Sequence, residues 1–118
     1  MTIRGVFRGA SEVRTLVAGA VLFSAGDDGT EMFGVISGLV ELRRDGQPVQ
    51  QIGPDGTFGE LAIVDAAPRT LTAVAIEASE IAVINQHDFL FLVHETPTFA
   101  LDVMRSMSHL IRQLSVGS

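Results

Sequence analysis

The stretch MFGVISGLVELRRDGQPVQQIGPDGTFG, residues 32–59, decides the fold class. Val40 and Leu42 alternate with Glu41 and Arg43, the period-two pattern of a strand with one buried face, and the run ends at Asp45-Gly46. An Asp-Gly pair supplies the positive φ angles of a two-residue turn, so a hairpin is expected across residues 39–51. Gly26-Asp27, Gly38 and Gly53-Pro54-Asp55-Gly56 mark further turns at roughly the spacing of a small sandwich or barrel. The middle of the chain reads as all-β.

Upstream, the first strand is expected at residues 21–23, after a short helical turn within MTIRGVFRGASE, residues 1–12. Downstream the pattern changes. Asn85 and Thr96 stand as N-caps before two helices, and Pro97 suits a first helical position. Over residues 99–114, Leu101, Met104, Met107 or Ser108, Leu110 or Ile111, and Leu114 recur at three and four and form one apolar stripe.

With 118 residues the chain suits one domain, 1–118, with one core, and its 47% hydrophobic content fits a packed globule. A net charge of −6 is the wrong sign for a phosphate-backbone surface, so direct nucleic-acid binding is not expected. There is no cysteine, and neither a signal-peptide pattern nor an 18-residue apolar run, which leaves a soluble cytoplasmic protein without membrane contact as the expectation.

Residues 58–74, FGELAIVDAAPRTLTAV, place a glutamate and an arginine in an apolar neighbourhood. Residues 60–64 suffice for about one turn of helix before residues 65–68 break it, and 70–76 alternate as a strand. A helix start opening on Gly59 presents free N–H groups to an anion, and Arg69 and Thr70 add a guanidinium and a hydroxyl. Glu60 would repel that anion unless it accepts hydrogen bonds from a neutral part of the same ligand, as ribose hydroxyls offer. A structural ion pair between Glu60 and Arg69 is the competing reading.

Phe58-Gly59-Glu60-Leu61-Ala62, a spacer ending in Pro68, and then Arg69-Thr70 resemble the phosphate-binding cassette of the cyclic nucleotide-binding domain family. LFSAGDDGTEMFGVISGLVEL resembles the same family's glycine framework, and the likeness covers roughly residues 15–114. The resemblance implies a mainly β, jelly-roll-like barrel (a double-stranded β-helix) flanked by C-terminal α-helices. It implies that Glu60 takes the ribose 2′-OH, and that Arg69 and Thr70 take the cyclic phosphate with backbone N–H groups of Gly59, Glu60, Leu61 and Ala62. Met107, Leu110 and Ile111 on the last helix are the candidates to cap the base, with Arg112 nearby. The implied function is a non-catalytic regulatory module, for cAMP first because the phrasing resembles prokaryotic members, and cGMP second. It would signal through the C-terminal helix to a second copy or a separate effector. The alternative is a ligand-blind member of the fold serving as an interaction or structural module. Leu71 departs from the family's alanine and either fills core beneath the pocket or intrudes on it.

No metal or other cofactor is expected, since His87, His94 and His109 lack metal-ligand spacing and all follow the β region. Ser24, Ser37 and Ser79 lack a nucleophile-elbow context, which disfavours hydrolytic catalysis.

Overall fold

Eight strands and three helices are described in a computed structural model that covers Phe7 and residues 10–116. One antiparallel sheet runs in the order β1 (Glu12–Leu16), β8 (Ser79–Ile84), β3 (Met32–Ser37), β6 (Thr57–Phe58). The second runs β2 (Val21–Phe23), β7 (Thr72–Ala75), β4 (Val40–Arg44), β5 (Gln47–Ile52). A short α1 (Leu61–Asp65) precedes β7, and α2 (Gln86–Glu95) and α3 (Thr98–Val116) follow β8. This is the mainly β, jelly-roll-like architecture with C-terminal helices that the resemblance implies. The expected hairpin is β4–β5: Arg44 faces Gln47, and Asp45 and Gly46 make the turn at φ 53° and 80°.

The apolar pattern explains the layering. Phe33 and Val35 of β3, Ile81 and Val83 of β8, and Val40, Leu42 and Ala73 of the second sheet bury one core between the sheets. Met32, Ala82 and Ile84 point the other way, onto Phe7 and onto Phe99 and Val103 of α3. Strands β3 and β8 are thus covered on both faces, which is why MFGVIS and IAVI read as continuous apolar runs. Gly34 is part of this arrangement, because a Cβ there would lie 2.7 Å from the Phe7 ring.

Several boundaries differ from expectation. The first described strand is β1, nine residues earlier than the Val21 start, and the helical turn expected in residues 1–12 falls largely outside the described residues. Alternation in EVRTL is weak because β1 lies at a sheet edge and is mostly exposed. Thr57–Phe58 pairs with β3 where only a turn was expected, and β7 starts at Thr72, two residues late. Asn85 caps α2 as expected, its side-chain oxygen accepting from Asp88 N–H at 2.8 Å. Helix α3 starts one residue later than the Thr96-Pro97 signal. Thr96 instead closes α2, with its N–H donating to Leu92 O at 2.8 Å.

The predicted stripe on α3 merges two faces. Phe99 and Val103 are buried and Met107, Leu110 and Leu114 half-buried, whereas Leu101, Met104 and Ile111 are 49%, 61% and 63% exposed. Both series repeat at three and four, so spacing alone does not say which meets the sheet. No described helix is long and apolar enough to cross a membrane.

Candidate functional site

The chain leaves β6 through Gly59, whose φ of 77° turns it into α1, and Ala66 in the left-handed region (φ 52°) ends that helix after five residues. Arg69 is then fixed by its backbone to a distant turn. Its N–H donates to Asp27 O at 2.8 Å, and its carbonyl accepts from Gly26 N–H at 2.7 Å. Two loops far apart in sequence therefore meet at this residue.

The Arg69 guanidinium is held by neutral groups. Nη1 donates to Gly59 O at 3.2 Å and Nη2 to Glu31 O at 2.8 Å, while the group lies 4.4 Å over the Phe23 ring and 5.3 Å from that of Phe33. Gly29 closes in on the same group: a Cβ there would stand 2.5–2.8 Å from Nη2, Nε and Cζ. Arg69 is 8% exposed, and burial lowers its pKa from the ordinary value, opposed by the negative charges of Glu31 and Asp27. An arginine stays charged through such a shift. Its Nε is buried without a hydrogen-bond partner among the described residues. A buried cation with an unused donor has the chemistry to attract an anion.

Glu60 is 3% exposed and lines the same cavity as Arg69, but among the described ion pairs the two are not joined. Its Oε2 accepts from Thr57 Oγ1 at 2.8 Å. The structural ion pair weighed from the sequence is therefore absent from this geometry. Thr70 is exposed beside Arg69. Ala62, one of the backbone donors the resemblance implies, already donates its N–H to Gly59 O at 3.3 Å.

One cavity of about 350 Å³ brings the predicted residues together: Gly59, Glu60, Leu61, Ala62, Arg69 and Thr70 from one side, and Met107, Leu110 and Ile111 from α3. Arg112, though nearby in sequence, is exposed and not among the lining residues. Leu71 belongs to the core between the sheets and also walls the cavity. Phe23, Leu42 and Arg44 line it too. Sequence reasoning missed them, along with Gly29, because each lies outside the cassette and reaches the site only through the fold, and it read Thr57, three residues before Glu60, only as part of a turn. Among the described residues no group of three His, Asp or Glu side chains is placed to hold a metal ion.

The family model described as the cyclic nucleotide-binding domain matches residues 13–96. The chain is 34% identical over 91 residues to a cyclic nucleotide-gated potassium channel of Mesorhizobium japonicum, covering 77% of this chain and 25% of the channel. It is 30% identical over 100 residues to the cyclic AMP receptor protein of Thermus thermophilus, covering 80% of this chain and 46% of the receptor. This chain thus spans less than half the length of either relative. A solved structure from a cyclic-GMP-dependent signalling pathway that regulates bacterial phytopathogenesis superposes with a TM-score of 0.71 at 30% identity, covering 86% of this chain and 85% of that one.

Proposed function

This chain belongs to the cyclic nucleotide-binding domain family, and we propose that its cavity takes a purine cyclic nucleotide, cAMP before cGMP, and regulates without catalysis. The buried Arg69 guanidinium with its unused Nε carries the reading. A cyclic phosphate bears one negative charge and two free oxygens, which suit the remaining guanidinium donors and the Thr70 hydroxyl. Glu60 takes the ribose 2′-OH, and the backbone of Gly59, Glu60, Leu61 and Ala62 frames the phosphate, the Ala62 N–H being shared with Gly59 O. Met107, Leu110 and Ile111 lie against the base. The order of nucleotides is supported by the likeness to a cyclic AMP receptor, and cGMP is the runner-up on the likeness to a structure from a cyclic-GMP pathway.

In this reading residues 1–118 form one cytoplasmic unit with its core at about 15–114, and α3 carries the signal to a second copy or a separate effector. This chain covers only 25% of the channel and 46% of the receptor it resembles, which supports reading it as a domain whose output passes to what α3 touches. The domain itself, at net charge −6, contacts neither nucleic acid nor membrane. A ligand-blind interaction module is the second reading, favoured by the exposed Leu101, Met104 and Ile111. Calorimetric titration with cAMP and cGMP separates the two: a micromolar dissociation constant, a binding free energy of about −8 kcal/mol, supports the first. Silence to millimolar for both nucleotides leaves the second.

A further inference from the structure

Thr57 is bonded in two directions at once. Its hydroxyl donates to Glu60 Oε2 at 2.8 Å, and its carbonyl accepts from Ser106 Oγ of α3 at 2.9 Å. We infer that Thr57 is a positioning residue that sets the pose of the Glu60 carboxylate, and that Ser106 makes this pose depend on where α3 sits. The inference rests on reading the cavity as a cyclic nucleotide site with Glu60 at the ribose.

Thr57 is 6% exposed, so water competes little for either bond. Only Oε2 of Glu60 is bonded among the described residues, which leaves Oε1 to accept from a ligand hydroxyl. A hydroxyl gripping one oxygen of a three-torsion side chain removes rotamer freedom before the ligand arrives. Strand β6 pairs with β3 at Phe33–Phe58 and Gly34–Thr57, Gly56 O accepts from Val35 N–H at 3.0 Å, and the bond from Ser106 adds a tie from α3 on the other side. Ser106 also breaks a local habit. A serine inside a helix commonly bonds the carbonyl four residues back, as Ser115 Oγ does to Ile111 O at 2.9 Å, yet Ser106 leaves its own helix for Thr57. One residue thus joins the helix along one side of the cavity to the carboxylate on the other.

The test titrates cAMP and 2′-deoxy-cAMP into wild type, Thr57→Val, Thr57→Ser and Ser106→Ala, and follows amide exchange at residues 57–62 without ligand. Thr57→Val should weaken cAMP about tenfold and the deoxy ligand little, since a hydrogen bond to a charged group is lost. Thr57→Ser should restore the preference. Ser106→Ala should narrow the ribose preference and speed exchange at 57–62. Equal loss of both ligands in Thr57→Val, or unchanged exchange in Ser106→Ala, overturns the inference. Should wild type bind neither nucleotide, the cavity reading falls by itself. Exchange then decides the α3 linkage: acceleration upholds it and no change ends it.

Discussion

Arg69 is a cation held by groups that carry no opposing charge: two backbone carbonyls, an aromatic face and a glycine backbone. That arrangement fixes its direction without a direct ion pair, although Glu31 and Asp27 lie near enough to act on its charge, so a bound anion can still gain a charge-assisted bond. Arg69→Ala is expected to cost at least ~2 kcal/mol of cyclic nucleotide affinity, about thirtyfold, by calorimetry. Affinity equal to wild type would remove Arg69 from the site. Gly29 gives a sharper test, because the atoms its Cβ would strike are the movable end of a side chain. Gly29→Ala should push the guanidinium off its carbonyls while sparing the fold, leaving the melting temperature near wild type and weakening binding about tenfold. A large fall in stability with unaltered affinity would mean that Gly29 serves only packing. Glu60 and Arg69 were legible in the sequence, since each is the wrong polarity for its neighbourhood. Gly29 was not, because within GDDG a glycine reads as a turn residue until the chain returns and lays Arg69 against it.

At the level of elements, what could be read were the local signals. Asp45-Gly46 dictated its hairpin and Asn85 its helix cap, since both depend on bonds between near neighbours. Strand β1 escaped because its partner is β8, and nothing in EVRTL encodes a pairing with residues so far along the chain. The phase of α3 escaped for a related reason: two apolar series compete, and the sheet that selects Phe99 and Val103 belongs to the tertiary structure. Its C-terminal half, with Met107, Leu110, Ile111 and Leu114, covers the cavity, so a nucleotide there would touch helix and cassette together. A ligand shifts an equilibrium only by what it contacts differently in two states, so the proposed signalling through α3 requires that the nucleotide change the helix's contacts. Saturating nucleotide should slow amide exchange across residues 100–114 as well as 58–72. Protection confined to the cassette would make α3 a fixed packing element and send the signal elsewhere.

Across the whole molecule the cavity belongs to no single element. Phe23 of β2, Leu42 of β4, the cassette and α3 each supply a wall, so the site exists only when the second sheet and the last helix have come together. The unfolded chain offers no such enclosure, and any ligand that fits must therefore stabilise the folded state by mass action. At a hundredfold excess over the dissociation constant that term is about 2.7 kcal/mol, which for a domain of this size raises the melting temperature by roughly 10 °C. The midpoint should continue to climb with the logarithm of ligand concentration instead of reaching a plateau. The opened product 5′-AMP separates specific fit from general affinity for nucleotides. It carries more negative charge than cAMP, but its phosphate is no longer tied back to the ribose, so it cannot present oxygens to Arg69 and a 2′-OH to Glu60 in the same pose. A midpoint that rises with cAMP or cGMP and stays flat with 5′-AMP is the expected outcome. Equal shifts with all three would mean that the buried cation attracts phosphate without reading the ring, and flat curves for all three would leave the exposed face of α3 as the working surface.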